Sequence, residues 1–180
     1  MPFRPAQAYA RRMTELDHIW SQMLDGALTS AGHNGRRHVA EYLQLKATND
    51  VIRVVGVGWL FDTMLEITRP AMDGPSGVTI EREEPSSFTR GTSTMVGSLL
   101  RIRQGVRCLT VEAGWARTPV DGIMQKGALV FGRITHFGMP KAGGEIRLVH
   151  GETLPQWLDA SGAIVDSGEL SRHLAVLLGA

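Results

Sequence analysis

Hydrophobic residues recur along this chain with two different periods. Between residues 6 and 31, Tyr9, Met13, Leu16, Trp20, Leu24 and Ala27 return at three- and four-residue steps, which draws an apolar stripe along one side of a helix. Pro5 suits the start of that helix and Gly32 its stop, and the polar GHNGRRH (32–38) reads as a link. Further on the period becomes two. GVTIERE (77–83), SLLRIR (98–103), VRCLTVEA (106–113), ALVFGRITHF (128–137) and EIRLVH (145–150) are β-rich runs set apart by glycine or proline. Residues 98–113 predict a hairpin turning at Gln104-Gly105, with Leu100 opposite Leu109 and Arg101 opposite Cys108. One of its faces carries Leu100, Ile102, Leu109 and Val111, and the other Arg101, Arg103, Thr110 and Glu112. TPVDG (118–122) reads as a tight turn, and 168–178 as a terminal helix with Ser167 as N-cap and Gly179 at its end.

The middle of the chain fits neither period cleanly. EYLQLKA (41–47) suits a short strand or a helical turn. Residues 51–69 alternate passably as a strand, yet plotted as a helix they are apolar on every side, as a fully enclosed helix must be. The length exceeds an ordinary strand. The expectation is a strand ending near Val55, a glycine turn at Gly56 and Gly58, and a buried helix over about 57–69 stopped by Pro70. The fold class that follows is α+β, with an antiparallel sheet of five or six strands wrapped around that helix.

Composition narrows the classes without naming one. The chain has 180 residues, 43% hydrophobic and 21% charged, which is ordinary for a soluble domain with a real core. A formal charge of +1 gives no general reason to expect nucleic acid or an anionic membrane as partner. No apolar run approaches the ~18–20 residues that cross a bilayer, and MPFRPAQAYARRM lacks the apolar core of a secretory signal. The single cysteine, Cys108, forms no internal disulfide and fits a reducing compartment, so a cytoplasmic location is expected.

The order of a strand, a glycine-marked turn, a helix bearing Asp62, then GVTIEREEPSSFTRG, LLRIRQGVRCLTVEA, a DG turn and GALVFGRI resembles the hot-dog fold. It is most similar to the acyl-CoA thioesterases of the phenylacetate-type group, over roughly residues 41–138. Residues 1–40, with the leading helix, and 139–180, a C-terminal extension, fall outside the resemblance. What it implies is a sheet around one central helix, protomers paired as a homodimer or higher oligomer, and hydrolysis of a small or medium acyl-CoA thioester. It further implies Asp62 as base or nucleophile, Asn49 before the turn, and the turn Gly56-Val57-Gly58 as holder of the oxyanion through its backbone N–H groups. The family's His-Gly-Gly is here Val55-Gly56-Val57-Gly58, without the histidine. That departure, with about 80 residues outside the resemblance, keeps open a non-catalytic ligand-binding or scaffolding module.

Other candidates read both ways. Asp62 is either catalytic or a helix acid that reaches solvent or an arginine. Arg101 and Arg103 share a hairpin face and suit the phosphates of coenzyme A, while a solvated strand face explains them as well; Arg107 falls on the opposite face. The six histidines do not cluster, His136 and His150 stand on neighbouring strands, and neither a metal nor a cofactor is expected. No Ser-His-Asp ordering, phosphate loop or dinucleotide fingerprint is present.

Overall fold

The computed structural model describes residues 22–30, 32, 37–74, 77–118 and 120–179. The chain forms two compact units, Met1–Val51 and Ile52–Ala180. In the first, residues 22–30 are helical, and Gly32, expected to stop that helix, is itself helical. The rest of the predicted 6–31 stripe, including Tyr9, Met13, Leu16 and Trp20, lies outside the described residues, as does His33. Arg37 and His38 do not belong to a link: they open helix α1, Arg37–Met72, which also takes in residues 41–47.

The expected strand and glycine turn are absent. The backbone is helical without a break through Val55, Gly56 and Gly58, and Pro70 lies inside the last turn instead of ending the helix. A proline there forfeits a single backbone bond, which a long helix tolerates near its end. Gly56, Val57, Leu60, Phe61, Met64 and Thr68 are buried, at the three- and four-residue steps of one helix face. Val54, Val55 and Trp59 are exposed on the other side. Apolar composition all round therefore does not mean enclosure: the second unit's stretch of α1 lies on the sheet by one face. Gly56 explains how closely it lies. A Cβ there would overlap the Leu148 side chain, and the Gly56 carbonyl accepts a hydrogen bond from Trp157 Nε1 at 3.0 Å. The glycine serves close packing of helix on sheet.

The sheet is antiparallel throughout, with six strands in chain order: β1 Val78–Arg90, β2 Ser93–Gln104, β3 Arg107–Trp115, β4 Ala128–His136, β5 Gly144–Val149 and β6 Gln156–Asp159. All five β-rich runs are strands. β6 was not anticipated, and the first two strands reach further than their hydrophobic runs. The β1–β2 register shifts between Glu83 and Ser86, beside Pro85, which has no N–H to offer a ladder. The β2–β3 hairpin turns at Gly105-Val106, not Gln104-Gly105, since Gln104 pairs with Arg107. Gly105 supplies the left-handed conformation, with φ 57°. Pairing is displaced by two residues, putting Ile102 opposite Leu109 and Arg103 opposite Cys108. A shift of two leaves every side chain on its expected face. Leu100, Ile102, Leu109 and Val111 are all 0% exposed.

They join Leu60, Phe61, Met64, Ile134, Leu148 and Trp157 in one core, which the C-terminal helix, α2 (Ser167–Leu178), extends with Leu170, Leu174 and Leu177. The N-cap of α2 is Asp166, not Ser167: its carboxylate accepts the Glu169 N–H at 2.9 Å. Gly179 ends the helix in the left-handed conformation, as expected.

Candidate functional site

The sheet face opposite α1 and α2 is concave. Arg90 at the end of β1 meets Glu145 on β5 at 3.0 Å, although four strand spacings in a flat sheet would separate them by about 19 Å. The sheet therefore curls strongly at this end, with β1 and β6 as its outermost strands. Under the curl, Phe88, Met95, Met124, Ala128 and Phe131 form a small second core. Beside it, Arg133 donates from Nε and Nη2 to Glu112 Oε2 at 3.0 and 2.6 Å, and its guanidinium lies 5.7 Å from the Phe88 ring centre. The turn expected at 118–122 borders this region, with Asp121 Oδ2 accepting from Thr118 N and Oγ1 at 2.8 and 2.9 Å; these bonds hold the Asp121 carboxyl below the ordinary carboxylate range.

Toward the other end of the same face, beyond the Glu112–Arg133 pair, opens a concavity of about 580 Å³ bordered by Arg101, Arg103, Cys108, Thr110, Thr135 and Phe137. Alternation on β2 brings the two arginines to this face, about 7 Å apart along the strand. Their acidic neighbours sit on β1: Glu83 at 3.4 Å from Arg101 and Glu81 at 3.8 Å from Arg103. Such long, solvent-exposed pairs contribute little and give way easily to a better anion. Cys108 Sγ is 3.7 Å from Thr110 Oγ1. The site thus combines two weakly engaged guanidinium groups, two hydroxyls, and an exposed aromatic, Phe137, at the rim.

The other expected site residues are not gathered here. Asp62 lies on the exposed side of α1 in the second unit, and Asn49, also helical, falls in the first. Gly56, Val57 and Gly58 are mid-helix, so their N–H groups are engaged in helical hydrogen bonds and offer no oxyanion hole. Arg107 is on the core-facing side as expected, where its Nη1 donates to the Leu177 carbonyl at 3.1 Å. His136 and His150 stand at opposite ends of the β4–β5 pair, since Ala128 pairs with Val149 and Ile134 with Gly144. Sequence reasoning missed the partner His136 does meet, His173 of α2. Among the described residues, no group of three or more His, Cys, Asp or Glu is placed to hold a metal, and no helix is long and apolar enough to cross a membrane. No family model, curated protein or solved structure matches this chain.

Proposed function

We propose that this protein is a non-catalytic binding module that takes a small anionic ligand with an apolar part, of the acyl-CoA kind, in the concavity on the outer face of the sheet. The observation that carries this reading is the convergence of Arg101 and Arg103 on one 580 Å³ concavity. A phosphate or carboxylate accepts charge-assisted hydrogen bonds from both guanidinium groups and displaces the loose contacts to Glu81 and Glu83. An apolar portion rests on Phe137 and Val106, both exposed at the rim. The module reading is preferred to hydrolysis because the helix through Gly56–Gly58 leaves Asp62 without the oxyanion donors a thioesterase needs. Kinship with the hot-dog fold and pairing of two copies belong to the same proposal, supported by a long helix packed against an antiparallel sheet.

Calorimetric titration with coenzyme A, acetyl-CoA and a longer acyl-CoA tests it. Binding is expected to weaken with salt and to fall roughly tenfold or more in the Arg101→Ala/Arg103→Ala double variant. No binding, or equal affinity in the variant, overturns the assignment of this concavity. Release of free thiol from the same panel, abolished by Asp62→Asn, replaces it with thioester hydrolysis.

A further inference from the structure

On the core-facing side of the sheet, two histidines join α2 to β4. His136 is 4% exposed, and its Nε2 lies 3.0 Å from His173 Nδ1. The ring centres are 5.3 Å apart with planes 23° from parallel. That separation exceeds the N···N distance by about the width of one ring, so the imidazoles lie end to end and share an N–H···N hydrogen bond. His173 Nε2 faces Glu169 Oε1 at 3.8 Å, and Glu169 is also ion-paired with Arg172. His136 Nδ1 is buried with no hydrogen-bond partner.

These positions suit only the uncharged pair. With the His173 proton on Nε2, toward Glu169, Nδ1 accepts from His136 Nε2–H and His136 Nδ1 is a bare acceptor. An added proton has two places to go. On His136 Nδ1 it makes a buried donor with no acceptor; on His173 Nδ1 it sets two N–H groups against each other across 3.0 Å. We propose that the His136–His173 contact is an acid-released latch, which holds the C-terminal helix on the sheet when neutral and lets it go when protonated, uncovering the apolar surface of Leu170, Leu174 and Leu177 and of the strands beneath.

The charged groups around the latch agree with that direction. Burial first, and then the charge of the partner ring, hold His136 below its ordinary range; burial first, and then Arg172, do the same for His173. Glu169 is the acidic neighbour on α2, and Arg172 shares it. From β3, Arg107 reaches the far end of α2 and donates to the Leu177 carbonyl. Arg101 and Arg103 of β2, and Arg133 of β4, belong to the opposite face of the sheet. Since both folded pKa values are depressed, the latch contributes its full stability above the unfolded value of about 6.5 and loses it as pH falls below that toward the folded values.

Hydrogen–deuterium exchange on the full chain, corrected for intrinsic rates and followed by mass spectrometry between about pH 7.5 and pH 5, reads the release directly. Protection over residues 167–178 is expected to drop on acidification, in the direction the depressed folded values require, while 98–113 keep theirs. His173→Gln removes one of the two titrating groups and should weaken the dependence of protection of 167–178 on pH. Arg172→Gln, at an exposed position, should retain more protection in acid because it removes a repelling charge. Should His173→Gln fail to fold, imidazole NMR of the unaltered protein serves instead, with both rings titrating below the ordinary histidine range in step with the loss of α2. Unchanged protection of 167–178 in acid, equal loss across the sheet, or an unaltered acid response in Arg172→Gln would overturn the latch.

Discussion

The β2–β3 hairpin presents two surfaces made from alternate residues of the same strands. On one, Leu100, Ile102, Leu109 and Val111 are sealed beneath the helices. On the other, Arg101, Arg103, Cys108 and Thr110 line an open concavity, and their ionic partners are exposed and loosely held. The first surface is dry, close-packed and sensitive to volume; the second is wet and tolerant. The difference teaches that stability and ligand chemistry are separable here at single-residue spacing. α1 repeats the lesson, with Gly56 pressed against Leu148 and Gly58 two residues on, where an added Cβ meets nothing within 4 Å.

Mutation tests this separation most sharply on the dry surface. Leu100→Ala should destabilise the fold by about 3–5 kcal/mol, the cost of a cavity in a packed core. Urea unfolding giving less than about 1 kcal/mol would mean that this face is not the core. Trp157→Phe, which removes the indole donor from the Gly56 carbonyl and leaves that carbonyl only its helical bond, should cost about 0.5–1.5 kcal/mol by the same measurement.

The two helix glycines should then part in sign. Gly56→Ala forces Leu148 to move, and the overpacking, typically about 1–3 kcal/mol, outweighs the helical gain of alanine. Gly58→Ala meets open space and should stabilise by about 0.5–1 kcal/mol. Thermal melts showing both variants destabilised alike would point to a non-helical backbone at this place and restore the glycine turn. Smallest of all, the Arg101→Ala/Arg103→Ala double variant should shift stability by less than about 0.5 kcal/mol. A larger loss would tie the outer face to folding and dissolve the contrast between the surfaces.

Particular elements show how far the fold was legible. The hairpin faces were, because alternation has a period of two and survived a turn misplaced by one residue on each strand. The terminal helix was legible too, from its closing Gly179; its cap was not, since the expected Ser167 gives way to Asp166, which only the geometry reveals. Arg101 and Arg103 were correctly put on one face, but the curl of the sheet that brings Arg90 to Glu145 was not legible. Those residues are 55 apart, and local periodicity carries no trace of such a contact.

α1 marks the boundary most clearly. Its sequence determined an apolar, glycine-bearing segment compatible with either secondary structure, since Val51, Ile52, Val54 and Val55 favour strands while the length favours a helix. Tertiary structure decided the rest: the helix is continuous, one face is buried, and Gly56 packs against Leu148 under the Trp157 hydrogen bond. The His136–His173 contact was settled in the same way, across 37 residues. Propensity and period act through neighbours in the chain, whereas close packing and buried hydrogen bonds join residues that the chain keeps apart, and where the local signals balance it is those distant contacts that select the outcome.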